Sequence, residues 1–155
     1  MESIKTGGYV HLVCRDKDGN LKWEHKGKNI ITNAGLAAIA GLVGNTGSVT
    51  AFSYIALGTS STAVAAGDTT LGAEITDTGL QRAAATVSRT TTTAANDTLR
   101  FAKTFTATGS KTVEEVGIFN ASSSGVLLGH LLTGSKALQN TDTLTVTYDI
   151  VFADA

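Results

Sequence analysis

The chain has 155 residues with one Cys and no Pro, and 42% of its residues are hydrophobic against 16% charged. That length predicts a single domain able to bury a core without disulfides or a structural metal, and the apolar balance excludes a disordered chain. Twelve Lys and Arg face thirteen Asp and Glu, a net charge of −1, so neither nucleic acid nor an anionic membrane is an expected partner.

Thr and Ser make up roughly a quarter of the chain, and Thr favours a pleated, half-buried surface, so mostly β structure is expected. The lone Cys14 provides no disulfide framework and no metal pair, which fits a reducing compartment or assembly inside a cell. Met1 to Thr6 lack the basic start and apolar run of a secretory signal. The longest apolar stretch, Gly35 to Val43, is far shorter than the about 20 residues of a spanning helix.

In chain order, residues 1–7 precede the first periodic segment and end in the joint Gly7-Gly8, so they are expected to form a flexible arm before one β-rich domain at 8–155. Val10, Leu12 and Cys14 alternate with Tyr9, His11 and Val13, and Leu21 and Trp23 alternate with Lys22 and Glu24. With the Asp/Gly-rich link at 16–20 this reads as a hairpin. After the extended Asn29 to Thr32, either Thr32 or Asn33 caps a short helix near residues 34–43. Leu36, Ile39, Ala40 and Val43 would form its apolar stripe and Gly44 its stop.

A strand follows at Phe52 to Gly58. The small-residue loop Thr59 to Thr70 is long enough to be expected to bind or pack something, and Asp68 to Leu71 suggests a turn of helix before Glu74. Leu80 to Thr92 and Thr98 to Thr106 read as a second hairpin, and three strands close the chain at Thr112–Asn120, Gly125–Leu132 and Asp142–Phe152. This spacing predicts a single-domain antiparallel β-sandwich or barrel.

Charge is unevenly placed. The first thirty residues carry six basic and four acidic side chains, making them net positive and the remainder net negative. From Ile31 to Gly67 there is no charged side chain at all, a run too long for an ordinary solvated surface. With the Ala/Thr-rich strands at 80–106, it predicts a homo-oligomer, trimer or dimer.

Chemical motifs are few. Asp16, Asp18 and Asn20 match three positions of a calcium loop, but Leu21 stands where its Gly is needed and Gly27 where its bidentate acid is, so a hairpin turn is expected. Gly109-Ser110-Lys111-Thr112 lacks the glycines of a phosphate loop and also reads as a turn. His11 and His25 face each other only if the first hairpin brings them together, and His130 stands far off in sequence. None has a Cys or carboxylate at ligand spacing, so no metal is expected and the histidines read as polar strand-face residues. Glu114 and Glu115 are adjacent on a strand and point to opposite faces, the wrong geometry for an acid/base pair. Arg82, Arg89, Arg100 and Lys103 suggest a basic stripe, without the aromatics of a nucleic-acid platform. No catalytic constellation and no cofactor site emerge.

The run Gly8-Tyr9-Val10, Asp18-Gly19, Trp23-Glu24 and Lys28-Asn29-Ile30-Ile31-Thr32-Asn33-Ala34-Gly35-Leu36 resembles the start of head decoration (cement) proteins of tailed bacteriophages. Tyr54-Ile55-Ala56-Leu57-Gly58-Thr59, then Asp68-Thr69-Thr70-Leu71-Gly72-Ala73-Glu74-Ile75 and Arg82, is similar to phage virion proteins of both capsid and tail-fibre type. So are Val113-Glu114-Glu115-Val116-Gly117-Ile118-Phe119-Asn120 and Asp142 to Tyr148. The resemblance implies a non-enzymatic virion protein on the capsid exterior, made in the host cytoplasm, that binds the major capsid protein and stabilises the head by adding contacts across its joints. A tail-fibre or baseplate adaptor or receptor-binding module is the alternative. On the decoration reading, the arm and the first hairpin would make the contact, through Glu2, Ile4, Lys5, Tyr9 and Trp23.

Overall fold

The computed structural model describes residues 3–154, which fold as two five-stranded antiparallel sheets with one helix. The first sheet has the order β2-β1-β10-β7-β6. Its strands are β1 (Ile4–Arg15), β2 (Leu21–Lys28), β6 (Thr86–Thr90), β7 (Thr98–Thr106) and β10 (Thr143–Asp154). The second has the order β3-β9-β8-β4-β5, from β3 (Ile30–Ile31), β4 (Tyr54–Gly58), β5 (Ala83–Ala84), β8 (Lys111–Phe119) and β9 (Leu127–Leu138). The sheets do not close into a barrel, so of the two expected architectures the molecule adopts the sandwich.

Period-two alternation sets which face each strand buries. Val10, Leu12 and Cys14 of β1 lie beside Leu144, Val146 and Tyr148 of β10, and Phe101 and Phe105 of β7 continue that layer. Ile55, Leu57, Val116 and Ile118 of the second sheet meet them. The first hairpin forms as expected. Asp16 closes its turn by accepting from the N–H groups of Asp18 and Asn20, and Gly19 takes the left-handed φ of +85° that the turn needs.

Four expectations are corrected. Residues 4–7 are not an arm: β1 starts at Ile4, and Ile4 to Gly7 pair with Asp154 to Val151 because β10 runs long enough to offer them a ladder; Met1 and Glu2 lie outside the described residues. Asp68 to Leu71 make no helical turn and run as irregular chain held by side-chain contacts. The single strand expected at 80–92 is two. β5 pairs with β4 in one sheet and β6 with β7 in the other, so the chain changes sheets at Ala85, whose N–H goes to the Ser53 carbonyl. A run of small Ala and Thr has no large side chains to hold it to one sheet.

The fourth correction concerns the helix. α1 spans Asn33–Gly44, with Thr32 as its N-cap accepting from the Gly35 N–H at 2.9 Å and Asn45 as its left-handed C-cap. Its buried residues are Gly35 and Ala38, whereas Leu36 and Val43 of the expected stripe are 45% and 85% exposed. The helix lies so close to β9 that a Cβ on Gly35 would stand 2.5 Å from the Leu128 carbonyl oxygen. Small residues make the closest approach to the sheet, Ile39 stays partly buried against the core, and Leu36, Leu42 and Val43 turn outward. Gly35→Val is therefore expected to lift the helix off β9 and cost about 1–3 kcal/mol, read as a lower thermal midpoint with loss of helical circular dichroism.

Candidate functional site

The second sheet has its own outer layer. Ala56, Phe119 and Leu127 face away from the main core and are covered by Leu71, making a small separate cluster under the loop that follows β4. Register places Ala56, Gly117 and His130 side by side on this face, and Glu115, two residues before Gly117, shares it. Loop residues 59–75 roof the face, which buries Glu115 completely and leaves His130 3% exposed.

Two side chains on the strands and one on the loop form a linear array. His130 Nε2 lies 2.7 Å from Glu115 Oε2, and its Nδ1 lies 2.8 Å from Asp68 Oδ2. A neutral imidazole has one N–H and would set its other nitrogen lone pair against a carboxylate, so the doubly donating geometry selects the imidazolium. Glu115 Oε1 also accepts from the Ala73 N–H at 2.8 Å and the Ser60 N–H at 3.3 Å, and Oε2 from the Gly72 N–H at 3.0 Å. Space for that carboxylate comes from Gly58, where a Cβ would fall 2.3 Å from Oε1.

The electrostatics follow from the contacts. Burial alone would push His130 down, but its hydrogen bonds to Glu115 and Asp68 outweigh burial and hold the imidazole above its ordinary value. Burial works to raise Glu115, and the bonds from His130, Ala73 and Gly72 overcome it and hold the carboxyl low. Asp68 is held low first by the Ala65 N–H, against burial, and then by His130.

A second array lies beside the first. The Arg82 side chain, 7% exposed, forks onto Glu74 with Nε to Oε1 at 2.8 Å and Nη2 to Oε2 at 2.6 Å. Its Nη1 donates to the Ala121 and Ser124 carbonyls at 3.0 and 2.7 Å, and its guanidinium sits 3.6 Å from the Phe119 ring centroid. The Ala-Leu-Gly strand, the Asp-Thr-x-Leu-x-x-Glu segment, Arg82 and the Glu-Val-Gly-Ile-Phe strand singled out in the sequence thus meet at one place, where their polar members pair with each other. A cleft of about 340 Å³ opens there, lined by Ser60, Thr62, Thr69 and Thr70 together with Asp68, Glu115 and His130. Both nitrogens of His130 are engaged by carboxylates, so the array ties loop to sheet and leaves no nitrogen free to take a proton from a substrate. Among the described residues, no group of three or more His, Cys, Asp or Glu side chains is placed to hold a metal ion.

Other sequence candidates lie apart. His11 and His25 occupy opposite faces of the hairpin: His11 bonds Glu24 at 3.0 Å, and His25 pairs across from Leu12. Arg82, Arg89, Arg100 and Lys103 form no stripe, because Arg82 is buried on Glu74 and Arg100 forks onto Asp149. Glu2 lies outside the described residues. Lys5 and Tyr9 share the outer face of β1, with Lys28 Nζ 5.8 Å from the Tyr9 ring centroid. Ile4 stands at the inward register but beyond the sandwich end, 74% exposed. Trp23, half-buried against the core, donates its indole N–H to the Ala137 carbonyl. The Asp68–His130–Glu115 array escaped sequence reading because its members are 62 and 15 residues apart. The available signal was a titratable side chain set against an apolar stretch in each of two strands, Glu115 before residues 116–119 and His130 between Leu128 and Leu131.

A family model described as Podophage GP4 fiber I protein gp80 matches residues 30–151. No curated protein and no solved structure matches the chain.

Proposed function

The chain belongs to the Podophage GP4 fiber I protein gp80 family and is a phage structural protein; within that class we propose that it is a non-enzymatic fibre-type module of the virion, used for attachment or as an adaptor. The observation that carries this reading is the family match, which spans β3 to β10 and so includes both buried arrays. The fold supports it. A module that works by contact needs a loop surface held in one shape, and the ion pairs under loop 59–75 fix that loop on a rigid sheet. The decoration role suggested by sequence resemblance gives way to this reading, because the matched family is named for a fibre.

Gold-labelled antibody against the chain on purified virions tests the placement. Label confined to fibres or the tail, at a few copies per particle, is the expected result. Label spread evenly over the head, with stoichiometry following the major capsid protein, would overturn it in favour of decoration.

A further inference from the structure

The first thirty residues are net positive, and the register of the first sheet gathers part of that charge on its outer face. Lys28 of β2, Tyr9 of β1, Asp149 of β10 and Arg100 of β7 stand opposite one another in a row across four strands. The next row brings Lys26, His11 and Thr147 together. Paired residues share one side of a sheet, and a shallow cleft of about 390 Å³ runs over both rows. Tyr9 is 54% exposed there, with the Lys28 ammonium beside its ring. The acids of this face are already engaged: Arg100 forks onto Asp149 at 2.8 and 2.7 Å, and His11 bonds Glu24 at 3.0 Å. Among the described residues, neither Lys26 nor Lys28 has a carboxylate within ion-pair distance.

We propose that this cleft binds a carboxylate-bearing polysaccharide, with a sugar ring against Tyr9 and its acid group at Lys26 and Lys28. The inference rests on the attachment reading above for its role in the virion. Charge complementarity selects an anion, because two unpaired ammonium groups line one cleft whose acids are held by Arg100 and His11. Three features select a sugar among anions. An exposed tyrosine offers a flat apolar ring with a polar tip, which matches the C–H face and hydroxyl rim of a pyranose. Asp149 lines the cleft, and a carboxylate only accepts hydrogen bonds, so it favours a ligand rich in O–H donors. An acidic peptide side chain brings none. Thr147, Thr145 and Thr104 then continue the same face with hydroxyls for further sugar units. Nucleic acid is disfavoured, because one aromatic makes no run of stacking platforms.

Affinity electrophoresis of the full chain tests this, in native gels cast with polygalacturonate, polysialate, neutral dextran or polyglutamate and compared with a polymer-free gel. The proteins are the wild type, Tyr9→Ala, Lys28→Gln and Lys17→Gln. All three positions are exposed, so the variants should keep the wild-type circular dichroism and thermal transition. The wild type is expected to be retarded by at least one of the two acidic polysaccharides and not by dextran. Tyr9→Ala and Lys28→Gln should each weaken that binding about tenfold. Lys17→Gln removes the same charge from the hairpin turn and should stay within about twofold of wild type. Retardation by neither acidic polysaccharide, either cleft variant binding like wild type, or equal retardation by polyglutamate would overturn the proposal, the last in favour of an acidic protein partner. Head labelling with polysaccharide binding intact would count against the fibre placement alone, and fibre labelling without that binding against this inference alone.

Discussion

Glu115→Ala is expected to destabilise the fold by about 3–5 kcal/mol, the usual cost of removing one partner from a buried charge pair. The carboxylate is fully buried and accepts from His130 and from three loop N–H groups, all of which lose their acceptor together. Denaturant unfolding measures the loss. Hydrogen exchange at Gly72 and Ala73 locates it, since those amides should become the fastest-gaining positions in the chain. Glu115→Gln keeps the volume and one acceptor oxygen, so it should fall between wild type and Ala. A variant as stable as wild type would mean that the loop is held by Leu71 and the Arg82 array alone.

The same array predicts a pH dependence with two limbs. His130 is raised in the folded state, so its contribution is complete below the ordinary imidazole value of about 6.5 and is lost as pH climbs through the raised value. Glu115 and Asp68 are lowered, so theirs is complete above the ordinary carboxyl range and is lost as pH falls through the depressed values. Thermal midpoints against pH should show a plateau between the limbs. Glu115→Gln removes one of the two anions facing His130 and should draw the alkaline limb to lower pH.

Arg82→Ala is the second large effect, again about 3–5 kcal/mol. Four hydrogen bonds and the Phe119 ring contact go at once, leaving Glu74 and two carbonyls without their donor. Arg82→Lys restores the charge but cannot fork onto a carboxylate while reaching two carbonyls, so it should recover only part of the loss. Equilibrium unfolding of the three proteins checks the order. A Lys variant equal to wild type would show that charge alone, without the planar geometry, holds the segment.

Much of the fold was legible locally. Alternation in β1 and β2 places Leu12 and Trp23 on their faces correctly, because a strand's side chains alternate whatever it packs against. The turn at Asp16 and Gly19 and a helix cap at Thr32 or Asn33, of which the structure takes Thr32, were likewise readable, since each is closed by atoms within four residues. The helix stripe was not. Periodicity marks an apolar face but does not tell how closely a sheet will approach, and at Gly35 the approach excludes any side chain. The split of 80–92 between two sheets escaped for a related reason, since small Ala and Thr side chains carry little preference for one sheet over the other.

By itself, then, the sequence determined one domain of antiparallel β structure, open between sandwich and barrel, with its first turn, a helix start at Thr32 or Asn33 and the phage-like segments, all of which depend on neighbours along the chain. Only the tertiary structure decided what those segments do. Asp68, Glu115 and His130 become one buried array, and Glu74 and Arg82 another, because a loop folds back over the outer face of a sheet. Residues far apart in sequence acquire partners there, and burial strengthens each interaction by removing the water that would otherwise screen it.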